Sequence, residues 1–186
     1  MFRLLGGLLL ATFMTAAQAF ECADLWSFLG RGCRRVTDTY HKGQDELLVS
    51  GYAYHLRNTY TEEKLKELNE AAYGLGWGKW TEDPDGDTHS VFLLGFYESH
   101  RKVEWNLGYV YQTYWGPRDG LQAGLGYSAL IVQRPDIAKG IPIPALLPVA
   151  SVRYGQASLM ATFIPTLNGG INNGSVLFLF GRYAFK

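Results

Sequence analysis

A hydroxyl, a carboxylate and an imidazole are the parts of acyl transfer: the ring takes a proton from a hydroxyl, the carboxylate orients the ring, and the freed oxygen attacks an ester carbonyl. Two of these parts stand side by side in this chain, Glu98-Ser99, within the polar corner Glu98-Ser99-His100-Arg101-Lys102. The third must come from His41, His55, His89 or His100. From spacing alone the signal is weak, since a solvated loop at 98–102 and a solvated lone His55 account for the same residues. The elements that carry them decide which histidine meets the corner.

The corner joins two arms of a β-hairpin, Val91 to Thr113. In the second arm Val103, Trp105, Leu107, Tyr109 and Tyr111 share one parity, and Glu104, Asn106, Gly108, Val110 and Gln112 share the other. Successive strand side chains point to opposite faces. One face is therefore large and apolar, the other small or polar. A soluble sheet buries the first; a transmembrane barrel turns it to lipid.

The same period of two recurs along the chain. Leu48 to Arg57 and Tyr73 to Trp80 precede the hairpin, and between them lies a charged, helix-prone stretch from Tyr60 to Ala71, long enough to sit outside a barrel. A turn at Asp83-Pro84-Asp85-Gly86-Asp87 leads into the hairpin. It lacks the spacing of a calcium loop. After Gly116-Pro117-Arg118-Asp119-Gly120, the fifth strand alternates Leu121, Ala123, Leu125, Tyr127, Ala129 and Ile131 with Gln122, Gly124, Gly126 and Ser128. A sixth follows Arg134-Pro135-Asp136 through Pro142, Pro144 and Pro148, a seventh runs Ala157 to Ile164, and the last, Val176 to Phe185, follows the loop Asn168 to Gly174. Proline cannot donate to a ladder, so pairing breaks near Pro148 and again at Pro165.

Eight strands make the smallest even-numbered outer-membrane barrel. The expected turns are short at 83, 116 and 155 and longer after strands one, three, five and seven. That arrangement sets the ends of strands one and three on one rim, so His55 is the histidine that converges with Glu98 and Ser99. His89 falls near the opposite end. Twenty-two Gly against twelve Tyr, ten Phe and five Trp suits a narrow barrel with small inward positions. Soluble lipocalin-like barrels are the structural rival, but their interiors are apolar.

Arg3, the apolar run Leu4 to Phe13 and Ala17-Gln18-Ala19 fit a signal peptide over residues 1–19, too short to span a bilayer. The mature domain is then 20–186, with an amphipathic helix over 22–41 and the barrel over 46–186. The helix carries Cys22, Trp26, Leu29, Cys33, Val36 and Tyr40 at helical spacing, with Arg31, Arg34 and Arg35 elsewhere. It reads equally as an interfacial anchor immersing Trp26 and Phe28, or as a helix on a soluble core. On one continuous helix Cys22 and Cys33 would lie ~16 Å apart. Either Cys22 precedes the helix and folds back into a disulfide, or both thiols are free. No metal spacing surrounds them. Seventeen basic residues balance seventeen acidic ones, which gives no reason to expect nucleic acid.

Tyr54-His55, Asn69-Glu70, Gly74-Leu75-Gly76, Glu98-Ser99, Leu147 to Val152 with Tyr154-Gly155, Ile164-Pro165 and Asn172-Asn173-Gly174 together resemble the lipid A palmitoyltransferase family, PagP, over essentially the whole mature chain. The resemblance implies an eight-stranded antiparallel transmembrane β-barrel in the outer membrane of a Gram-negative bacterium, with its active site at the outer face. It implies transfer of an acyl chain from the sn-1 position of a glycerophospholipid donor to a hydroxyacyl chain of lipid A, by a monomer, without cofactor or metal. The family's His and Asp-Ser pair map onto His55, Glu98 and Ser99, with Glu one methylene longer than Asp. The family's donor pocket maps onto Val110, where palmitate-selective members have Gly, with Gly108, Gly124 and Gly126 beside it. A Val floor implies a chain shorter than palmitate. Pro148 and Pro165 match a gap through which lipid enters sideways; at a second gap, between strands one and two, Ser50 and Ala72 replace prolines. Two other readings carry the same residues: a lipid A deacylase or phospholipase, and a non-catalytic structural barrel.

Overall fold

The computed structural model describes Cys22, 26–135, 138–167 and 172–185. The signal-peptide segment, the Asp136 turn residue and residues 168–171 of the 168–174 loop lie outside the described residues, as does the Phe28 side chain. The chain divides into two compact units between Arg35 and Val36.

Helix α1 spans Ser27–Lys42. It starts later than the helical spacing predicts, because Cys22 precedes it and is bridged to Cys33, with Cα atoms 5.5 Å apart. The folded-back alternative is therefore the one adopted. The apolar stripe is uncovered: Trp26 is 86% exposed, and Leu29 and Tyr40 are exposed as well.

Eight strands follow: β1 Gln44–His55, β2 Ala71–Glu82, β3 Thr88–Tyr97, β4 Val103–Trp115, β5 Leu121–Gln133, β6 Ile143–Tyr154, β7 Ala157–Ile164 and β8 Val176–Ala184. Each pairs antiparallel with the next, and β8 pairs with β1 to close the barrel. Closure leaves no edge of unpaired backbone groups, the condition for a sheet to sit in lipid. Helix α2, Glu62–Glu67, occupies the long β1–β2 connection; the Thr61 side chain caps it by accepting from the Lys64 N–H, and Glu62 and Glu63 complement its dipole. The corner after β3 is no longer than the turns at 83–87 and 116–120, against expectation. Its closing residue explains this: Arg101 takes a left-handed φ of 62°, and its N–H bonds back to the Glu98 carbonyl.

Parity follows the sequence. Leu75, Trp77, Leu93, Trp105, Leu107 and Leu125 all point outward and are exposed. In water each Å² of that apolar band would cost roughly 25 cal/mol; against acyl chains the cost vanishes. The interior is layered. Midway, Leu48, Phe92, Val110, Val149, Met160 and Phe180 form an apolar core. Toward the short turns it becomes polar: Ser90 donates to Glu46, Gln112 Nε2 bonds to Ser151 Oγ at 2.8 Å, and Arg153 reaches Glu82 at 2.7 Å.

Two irregularities break the ladder. Between Ser50 and Tyr52 the register of β1 shifts against both neighbours, a bulge centred on Gly51. Glu46, Leu48 and Ser50 face inward before it, Ala53 and His55 after it, so the inward parity changes there. The second break is the seam at β6. Residues 143–148 pair with β5 alone, and pairing with β7 begins only at Val149↔Thr162. The break falls at Pro148 and β7 ends just before Pro165, where the missing N–H donors place it.

Candidate active site

His55 is the last residue of β1, aimed inward by the Gly51 bulge and 2% exposed. Ser99 sits in the β3–β4 corner. The two meet across the rim, with Ser99 Oγ 2.8 Å from His55 Nε2. The ring of Tyr60 packs edge-on to the imidazole, centroids 5.2 Å apart. Nucleophile-type hydroxyl and base are thus within hydrogen-bond reach, with the ring buried and Ser99 half-buried, which is the geometry that proton abstraction requires.

Glu98, expected beside them, is turned the other way. Its Oε2 accepts from the His100 N–H and meets His100 Nδ1, both at 2.9 Å, and its Oε1 accepts from the Lys102 N–H at 3.0 Å. Arg134 Nη2 approaches the same carboxylate at 3.5 Å, while its Nε stands 3.4 Å from Glu104. Glu104 in turn accepts from Asn106 Nδ2 at 2.9 Å. Glu98 therefore locks the corner that presents Ser99 and ties it to β4 and β5 through Arg134.

The carboxylate on the other side of the imidazole is Glu70, which composition and spacing do not single out. Its Oε1 lies 3.4 Å from His55 Nδ1 and accepts from the His55 N–H at 3.0 Å. Arg57 grips both its oxygens, at 2.7 and 3.0 Å, and the Tyr52 hydroxyl donates at 2.6 Å. Partial burial pushes the Glu70 carboxyl upward, but hydrogen bonds from Arg57, Tyr52 and the His55 amide outweigh it and hold the pKa at about 2. The neighbouring Asn69 N–H donates to the Ser99 carbonyl at 2.9 Å. The Asn69-Glu70 pair thus touches both members of the site. The only sequence signal for it is its place in the family pattern.

The predicted pocket residues separate by depth. Gly108 lies where an added Cβ would meet Phe92 and Leu130, and Val110, 3% exposed, is part of the apolar core. The next inward residue of β4 is Gln112, in the polar layer, so Val110 is the last apolar position on that strand. Gly124 lies lower, against Ser151 and Tyr114, and Gly126 faces the backbone of Tyr111 and Gln112. Pro148 and Pro165 flank the open seam described above. No group of His, Cys, Asp and Glu suited to a metal ion occurs among the described residues.

Residues 35–182 match the family model described as antimicrobial peptide resistance and lipid A acylation protein PagP. A lipid A acyltransferase PagP from Methylobacillus flagellatus is 39% identical over 170 residues, 91% of this chain and 90% of its own. The protein of that name from Bordetella parapertussis is 37% identical over 92% of this chain and 93% of its own. Another from Legionella pneumophila is 38% identical over 97% of each. With the closed barrel, the β6–β7 seam and the paired His55 and Ser99, these matches make the chain a member of the PagP family.

Proposed function

We propose that this protein is an outer-membrane acyltransferase that moves a fatty acyl chain from a glycerophospholipid to a hydroxyacyl chain of lipid A. The observation that carries the reading is the 2.8 Å contact between Ser99 Oγ and His55 Nε2 at the rim of a lipid-facing barrel. His55 Nε2 accepts the proton of the attacking hydroxyl, that of the acceptor directly or that of Ser99 in a two-step route. The oxygen adds to the donor's ester carbonyl, the carbonyl reforms, and the departing lysophospholipid oxygen takes the proton back from the imidazolium. On the direct route this completes the transfer; on the two-step route the acceptor hydroxyl, giving its proton to His55, then attacks the Ser99 ester, and Ser99 Oγ leaves with that proton. Neither route calls for a metal or cofactor.

The donor chain lies in the apolar mid-barrel beneath the rim. Val110, at the boundary with the polar layer, is its floor, and Gly108 above it leaves the room that Phe92 and Leu130 occupy. Polar residues below, such as Gln112 and Ser151, give a methyl terminus nothing to gain by going deeper. Lipid reaches this space through the β6–β7 seam between Pro148 and Pro165, and the active rim faces the outer surface of the membrane. The reading takes the enzyme as a monomer, which a barrel complete within one chain suits. Export under the direction of residues 1–19 precedes insertion.

Mass spectrometry of lipid A from cells carrying the wild type, His55→Ala, Ser99→Ala or no copy tests this. A gain of one acyl group is expected for wild type alone, its size corresponding to a chain shorter than palmitate. A lighter lipid A with released fatty acid would assign the same site to hydrolysis. Unchanged lipid in every strain, with the barrel inserted, would leave a structural protein.

A further inference from the structure

A histidine acting through one ring nitrogen needs its other nitrogen held, or the proton sits on the wrong one. His55 uses Nε2 toward Ser99. Its Nδ1 is buried and has no hydrogen-bond partner at ordinary geometry among the described residues, yet the Glu70 carboxylate stands 3.4 Å away. Both oxygens of Glu98, the carboxylate adjacent to Ser99 in sequence, are engaged by the corner's own N–H groups and by His100. Resting enzymes commonly hold such contacts slightly long and shorten them when substrate is bound.

We propose that Glu70, and not Glu98, is the positioning residue that fixes the His55 ring with its proton on Nδ1, leaving Nε2 free to act as base. This deepens the acyltransferase reading and rests on it for the identity of the reaction, but the ring orientation is a property of the site itself.

The surroundings of Glu70 fit the role. It is pinned by groups that do not touch the Ser99 hydroxyl: Arg57 in a two-pronged grip, the Tyr52 hydroxyl and the His55 amide. A carboxylate so held stays ionised and presents its oxygen at a fixed place, which a flexible surface acid does not. The His55 amide bond to Glu70 also matters for orientation, because it ties the carboxylate to the backbone of the residue it must steer. Asn69, one residue earlier, fixes the Ser99 carbonyl. The Asn69-Glu70 dipeptide, in the link between α2 and β2, thereby sets the distance between hydroxyl and ring although β1 and the β3–β4 corner are not neighbours in the sheet. Around the ring, Tyr60 packs at its edge, Arg57 lies beyond the carboxylate and the Ala53 backbone carbonyl stands near; Glu70 is the one of these that is an anionic acceptor.

The test is the tautomer of His55, read from ¹⁵N shifts of histidine-labelled full-length mature protein folded in detergent micelles, together with transfer kinetics from phosphatidylcholine to lipid A. Wild type is expected to show Nδ1 protonated and Nε2 unprotonated. Glu70→Gln offers an amide N–H that can donate to Nδ1 and should move the proton to Nε2. Its kcat should fall by about 100-fold, the scale of a misdirected general base, with KM little changed. Glu70→Asp keeps the charge and should recover the Nδ1 tautomer and part of the rate. Glu98→Gln should leave the tautomer as in wild type. An unchanged tautomer and rate in Glu70→Gln, or a tautomer change caused by Glu98→Gln instead, would overturn the assignment. A wild-type protein with the expected tautomer and its loss in Glu70→Gln, but no transfer to lipid A, would uphold Glu70 and overturn the reaction proposed above.

Discussion

At the residue scale, the proposed site draws three side chains from three stretches of sequence, and only two announce themselves. Ser99 is legible because a hydroxyl and a carboxylate occupy one polar corner between strands of clear alternation. His55 is legible once the strand count puts it on the same rim. Glu70 was not: it lies in a charged, helix-prone segment where an acid reads as solvation, and its meaning depends on Arg57, Tyr52 and His55 folding around it. Glu98 misleads for the opposite reason, since its place in sequence suggests a partnership that the tight corner redirects to His100 and Lys102. Depth in the barrel, too, is invisible to parity, which is why Gly124 and Gly126 share the inward face with Val110 but sit against the polar layer and the backbone. Val110 itself gives a direct prediction. Val110→Gly should shift the transferred chain toward longer acyl groups, seen as a larger mass gain on lipid A. The lost burial costs roughly 1.5–3 kcal/mol of barrel stability. An unchanged acyl chain in a folded variant would place the floor elsewhere.

At the element scale, β1 does more than complete the sheet. Its alternation is plain in the sequence, but the bulge is not, because Tyr52, Ala53 and Tyr54 offer apolar candidates for either face. Gly51 has no atoms within 4 Å of where a Cβ would stand, and its φ lies outside the left-handed region. Gly51→Ala should therefore leave transfer within a few-fold of wild type, and so should deletion of Gly51, which removes the extra residue and leaves Ser50, Ala53 and His55 alternating on the inward face. Loss of transfer in either variant, in a barrel that still shifts on heat-modifiable gels, would show that the local twist of the bulge is needed to place the ring. The seam at β6 was legible throughout, since proline's missing donor is a property of the residue alone. Between β1 and β2, by contrast, the Ser50 hydroxyl donates to the Ala72 carbonyl at 2.7 Å, lacing together the positions where the family's second gap would lie. Among the described residues, the open seam is then the one bounded by Pro148 and Pro165.

At the scale of the whole molecule, the strand pair that closes the barrel carries buried charge near its turn end. Glu46 on β1 is fully buried, with Arg182 of β8 3.8 Å away across the closing pair of strands. Charged residues so far inside are stabilising only as a set. Replacing Arg182 by Met should cost about 3–5 kcal/mol, read from urea unfolding in micelles, and replacing Glu46 by Gln as well should restore much of it. A single variant no less stable than the pair would show that the charges do not depend on each other. The closed barrel and its lipid-facing band could be read from period-two alternation. This cross-barrel pairing could not, because it depends on which strands become neighbours at closure. Closure also gives the Gly51 bulge a wider meaning. A strand with two-residue periodicity behaves like a message with two reading frames, and β1 is read in one frame up to Ser50 and in the other from Tyr52 to His55. Gly51 is the extra character between the two frames, so its loss leaves Ser50, Ala53 and His55 alternating on the inward face of an unbroken strand. A Gly51 deletion should accordingly keep the histidine in the lumen with no compensating change elsewhere in β1.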